Sequence, residues 1–64
     1  MLTDRQLEIA EHVARGRTTA QIAEALGLSP KTIGNHLEKI YVRAEVSGRV
    51  ELTRLLLEQG LAGP

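Results

Sequence analysis

Lys31, Gly34, Asn35 and Glu38 pose the first functional question in this chain. They lie within LSPKTIGNHLEKIYVRA, residues 28–44. At about 100° per residue they share one side of a helix with Val42. An Asn side chain pairs with adenine in the DNA major groove, and a Glu accepts from cytosine N4. Lys31 suits a base edge or a phosphate. Gly34 costs a helix interior on the order of 1 kcal/mol against Ala, and its lack of a side chain would let the backbone come close to another surface. Thr32, His36, Lys39 and Arg43 line one flank of that front. Their hydroxyl, imidazole and cationic groups suit phosphate oxygens, which position a protein on DNA and make its affinity salt-dependent. Each residue also has a plainer reading, as part of the solvated face of an amphipathic helix. For His36 a half-buried structural role fits as well.

The opposite side explains why a front exists at all. Ile33, Leu37, Ile40 and Ala44 fall in one narrow stripe of the same helix, which suits burial against neighbours. Ser29 is a good N-cap, and Pro30 fits the first helical position.

Three more helices would hold this one. Thr3 and Gln6 have capping-box spacing, Ile9, Ala10 and Val13 form a stripe, and Gly16 marks a stop. Thr18 and Gln21 repeat the box, Ile22, Ala23 and Leu26 give a short apolar face, and Gly27 ends it. Thr18 and Thr19 then stand at a helix start, where free N–H groups favour an anion. Leu28 must point inward to pin the second helix to the third. Ser47 is the expected N-cap of a fourth helix that ends at Gly60. The reading is therefore all-α: a compact four-helix helix-turn-helix domain over residues 1–64. Its helices lie at about 4–15, 19–26, 30–44 and 48–59, with the helix-turn-helix motif at about 19–38.

The fourth helix has two apolar faces. Leu52, Leu55 and Leu56 form one, and Val50, Leu57 and Leu61 lie roughly opposite. Three small helices can cover one of these, so the other wants a partner. Arg5 can pair with Glu8 or Glu11, Tyr41 suits a bracing role, and His12 reads as a surface residue.

Composition narrows the classes. Sixty-four residues make one small domain. There is no cysteine, and two distant histidines make no metal site, so no metal or cofactor is expected. No nucleophile is paired with a base and no glycine-rich phosphate loop occurs, so no residue is assigned to catalysis and an enzyme is not expected. No apolar run approaches a membrane span and no signal pattern opens the chain, which points to the cytoplasm. The net charge is zero. Residues 15–49 nonetheless hold six basic residues against three acidic ones, a net of plus three.

At this point the sequence resembles the LuxR/NarL/FixJ-type (GerE-like) DNA-binding domain. The match lies in LTDRQLEI, in ARGRTTAQIAEALGLSPKTIGNHLEKIY and in Val46, Ser47 and Arg49. It covers essentially the whole chain. The spacing of Gly16, Ile22-Ala23, Ser29, Thr32-Ile33, His36 and Arg49 is more specific than a generic helix-turn-helix. The resemblance implies bacterial transcriptional regulation through double-stranded DNA, with helices 2 and 3 as the reading motif. It implies base contacts from Lys31, Gly34, Asn35 and Glu38. Phosphate contacts would come from Thr18, Thr19, Thr32, His36, Lys39, Arg43 and Arg49. A homodimer would form through helix 4 by Val50, Thr53, Leu57 and Leu61. Such domains usually sit at the C-terminus of a larger regulator, behind a signalling domain that this chain does not contain. Many relatives carry Lys in place of Gly34, a basic or polar residue in place of Glu38, and Gly in place of Glu45. Leucines are common where this chain has Ala10 and His12. These departures bear on affinity and sequence preference, not on the fold. With the zero net charge, Gly34 and Glu38 favour the competing reading, a protein-interaction module working mainly through helix 4.

Overall fold

Three helix starts use one local device. Thr3 Oγ1 accepts from the Gln6 amide at 3.1 Å, and Gln6 Oε1 accepts from the Thr3 amide at 3.0 Å. Thr18 and Gln21 repeat this reciprocal pair at 3.1 and 2.8 Å. Ser29 Oγ accepts from the Thr32 amide at 3.1 Å, and Pro30 follows as the first helical residue. Each cap satisfies amides that a helix leaves unpaired at its start. The computed structural model describes residues 2–60, and those residues form α1 (Asp4–Ala14), α2 (Thr19–Leu26), α3 (Pro30–Ala44) and α4 (Arg49–Glu58). No strand occurs among the described residues.

α1 packs against each of the other three helices, and α3 packs against α2 and α4. Ile9, Ala10 and Val13 of α1 meet Ile22 and Ala23 of α2, Ile33, Leu37 and Ile40 of α3, and Leu52 and Leu56 of α4 in one buried cluster. Leu28 is half-buried against that cluster, which is the inward position expected of it. Tyr41 and Ala44 pack on its edge. Ala10 is fully buried, so the small side chain there is part of the core. Leu55 is half-buried, less enclosed than its neighbours Leu52 and Leu56.

Several local expectations need correction. α1 stops at Ala14, one residue earlier than expected, because Arg15 leaves helical geometry ahead of Gly16. α4 runs from Arg49 to Glu58 with Gly48 and Gln59 as its caps, in line with the expected 48–59. Its N-cap is Gly48, which has no side chain to cap with, and the Ser47 hydroxyl one residue earlier donates to the Glu51 carboxylate. His12 is half-buried, not a surface residue, and its Nδ1 lies 3.0 Å from Arg17 Nη1. A guanidinium can only donate, so the ring nitrogen accepts. Arg5 pairs with Glu8 at 3.5 Å with both side chains about half exposed, a pair worth at most about 1 kcal/mol.

The helix ends share a second device. After α2, the Leu28 amide donates to the Ala23 carbonyl at 2.9 Å and the Gly27 amide to Glu24 at 3.4 Å. After α3, the Val46 amide donates to Tyr41 at 3.0 Å and the Glu45 amide to Val42 at 3.2 Å. Both are Schellman closures, which need a left-handed residue after the last turn. Gly27 takes φ 69° without steric cost, but Glu45 takes φ 57° with a Cβ that crowds the following carbonyl. The helix therefore ends where it would with glycine, at a local cost. Glu45→Gly is expected to raise unfolding stability by about 1 kcal/mol, which is roughly 4–8 °C in Tm for a domain of this size. A thermal melt that shows no rise would contradict this account of the α3 terminus.

Candidate nucleic-acid interface

The burial of α3 decides which way its other side points. Ile33 and Ile40 are fully buried and Leu37 is nearly so. Lys31, Asn35, Glu38 and Val42 lie on the opposite side, and all four are exposed. Gly34 sits among them, half-exposed. Beyond its chain neighbours and its own helix backbone, a Cβ built on Gly34 meets no atom within 4 Å. Nothing inside the protein therefore requires glycine there. The stripes expected from 3.6-residue periodicity are present, and none of the described residues covers the front.

The flank is more mixed. Lys39 and Arg43 are exposed, whereas Thr32 and His36 are half-buried. The Thr32 hydroxyl lies 2.9 Å from Ser29 Oγ, so it is tied into the α3 cap. Thr18 Oγ1 is likewise engaged as the α2 cap. Thr18 is exposed and Thr19 half-buried at the same helix start. The structure thus brings Lys31, Gly34, Asn35 and Glu38 together on one strip of α3. The flank residues run beside it, and the two threonines stand at the start of α2.

Arg49 stands apart from that set. It is half-buried, and its Nη1 donates to the Arg17 carbonyl at 2.7 Å. Its Nη2 lies 3.5 Å from Thr19 Oγ1. No local pattern in the sequence announces a bond across 32 positions. Arg17 was not singled out from the sequence, yet its carbonyl anchors Arg49 and its guanidinium holds His12.

Two further surfaces carry exposed apolar groups. Val42 is 78% exposed and lines a shallow groove with Gln6, Glu38, Lys39 and Arg43. On α4, Val50 is 73% and Leu57 53% exposed, on the side away from buried Leu52 and Leu56. Thr53 is half-buried, and its hydroxyl donates to the Arg49 carbonyl at 2.9 Å. Leu61 lies outside the described residues. Among the described residues, no helix is long and apolar enough to cross a membrane.

Comparison with known proteins gives this arrangement a context. The chain is 35% identical over 60 residues to the response regulator UvrY of Escherichia coli K12, covering 94% of this chain and 28% of that protein. It is 40% identical over 57 residues to the transcriptional regulatory protein UhpA of the same organism, covering 89% and 29%. It is 37% identical over 59 residues to the transcriptional regulatory protein DesR of Bacillus subtilis, covering 92% and 30%. The chain thus spans less than a third of the length of these relatives. The model of bacterial regulatory proteins of the luxR family matches residues 1–56, and the chain belongs to that family.

Proposed function

We propose that this domain binds double-stranded DNA in a sequence-specific way and regulates transcription from it. The observation that carries the reading is the uncovered front of α3: Lys31, Asn35 and Glu38 exposed, with Gly34 between them and the aliphatic ridge buried behind. Family membership supports it, since the luxR family is a class of regulators and not of enzymes. On this reading the helix-turn-helix is residues 19–38, α3 enters the major groove and α2 crosses the backbone. Asn35 reads adenine, Glu38 accepts from cytosine, Lys31 reaches a base edge, and Gly34 admits close approach. Phosphates are met by Thr18, Thr19, Thr32, His36, Lys39 and Arg43. Arg49, at the start of α4, reaches the Arg17 carbonyl and the Thr19 hydroxyl beside that set.

Dimerisation belongs to the same proposal. Val50 and Leu57 are apolar and exposed on one helix, and a second copy of α4 would cover them beside Thr53; Leu61, expected in the same interface from the sequence, lies outside the described residues. Two domains on paired half-sites add affinity that one nearly neutral domain lacks. In the cell the domain would act in the cytoplasm as one part of a longer regulator, behind a signalling domain. The competing reading, a protein-interaction module, draws on the same exposed apolar groups and on Glu38, whose charge repels phosphate.

Titration of duplexes selected from a random pool, at rising salt, separates the two. The DNA reading predicts tight binding to a subset, with log K falling by about 0.9 per phosphate neutralised for each unit of log salt. Leu57→Glu should weaken both self-association and that binding. Retained self-association with no duplex selected at any salt would favour the interaction module.

Gly34→Ala tests the close-approach role. With open space around the new Cβ, the substitution should raise stability by about 1 kcal/mol through helix propensity. It should also lower affinity for the selected duplex. Higher stability with unchanged affinity would mean that the glycine is merely tolerated.

A further inference from the structure

We propose that Arg49 is a positioning residue for the phosphate-facing end of α2. It acts through the Arg17 carbonyl and the Thr19 hydroxyl, and not as a cation on DNA. The proposal rests on the DNA-binding reading above.

The geometry is specific. Arg49 opens α4, and its guanidinium reaches the turn before α2. No Cα atom of α2 comes within 8 Å of one in α4, so the two helices have no backbone-level packing between them. The Arg49 side chain is what joins the start of one to the start of the other. The 2.7 Å bond to the Arg17 carbonyl is short for an N–H···O contact, as expected for a charged donor. Arg49 is also held at its own backbone, where its carbonyl accepts from Thr53 Oγ1 at 2.9 Å. A guanidinium seated on the Arg17 carbonyl, on a half-buried residue, is poorly placed to follow a phosphate.

Its effect falls on Thr19. Arg49 Nη2 stands 3.5 Å from Thr19 Oγ1, at the limit of a hydrogen bond. A guanidinium can only donate, so any such bond uses a lone pair of the hydroxyl oxygen. The hydroxyl hydrogen stays available to donate outward. The first amides of α2, which have no helical partner, stand at the same place. Arg49 thereby sets both where the end of α2 lies and which way its hydroxyl donates. It also couples the opening turn of α4, the helix with the exposed Val50 and Leu57, to the DNA-facing end of α2.

The test uses the full chain, a duplex selected by that chain, and the slope of log K against log salt. Arg49→Gln should lower affinity roughly ten-fold at fixed salt, the scale of one lost charged hydrogen bond, and leave the slope unchanged. A direct phosphate contact would instead flatten the slope by about 0.9, and that result overturns the proposal. Arg49→Lys keeps the charge but cannot span both partners, so it should recover affinity only in part. Full recovery would assign the effect to charge alone and overturn the proposal. Thr19→Val removes the hydroxyl and should lower affinity with no change in slope; unchanged affinity counts against the proposed route.

Amide hydrogen exchange gives a readout without DNA. Arg49→Gln should speed exchange at the amides of Gln21 and Ile22, which bond back to Thr18, while amides in the middle of α3 keep their protection. Uniform acceleration, or none, overturns the positioning role. If Arg49→Gln does not fold, Thr19→Val decides by affinity and slope. If the wild-type chain selects no duplex, the DNA-binding reading fails, and exchange at Gln21 and Ile22 still shows whether Arg49 holds α2.

Discussion

Burying Ile33, Leu37 and Ile40 dictates what the other side of α3 can be. Each such side chain is worth about 1.5–3 kcal/mol when fully removed from water. Rotating the helix by one position, about 100°, would turn this ridge toward water and bring either Lys39 and Arg43 or Glu38 toward the core, where an unpaired charged group costs several kcal/mol more. The front is therefore held outward by the core, not by any contact it makes itself. This explains how the front can vary in charge while the fold stays the same. Gly34 and Glu38 occupy positions where the packing of the domain makes no demand.

The charge balance fits this division. Exposed charges more than about 10 Å apart at 0.1 M salt are largely screened. A duplex on α3 would feel the strip and its flank more than the chain total. That strip still includes Glu38, so electrostatic attraction is weaker than a lysine-rich front would give. Base readout and pairing of two domains must then carry more of the affinity. The apolar Val50 and Leu57 on α4 are suited to the second of these.

Much of the fold was legible because its signals are local. Capping boxes at Thr3–Gln6 and Thr18–Gln21, Pro30 after Ser29, and Gly16 and Gly27 at helix ends act within a few residues, and the structure uses all of them. Periodicity located the ridge and the front of α3. What escaped was choice between partners. Ser47 had the chemistry of an N-cap, but Glu51 took its hydroxyl and Gly48 became the cap. His12 looked like a surface residue until the turn brought Arg17 back to it. The bond from Arg49 to the Arg17 carbonyl depends on how four helices pack, and no spacing rule reaches across it. Glu45 showed the reverse case: its residue type argued against a left-handed cap, yet the closure to Tyr41 and Val42 held it there.

The most direct measurement is amide chemical-shift mapping of the isotopically labelled chain as a selected duplex is added. The largest changes are expected along residues 31–39, with a second group at Thr18 and Thr19. Changes confined to α4 around Val50 and Leu57, with α3 silent, would contradict that expectation.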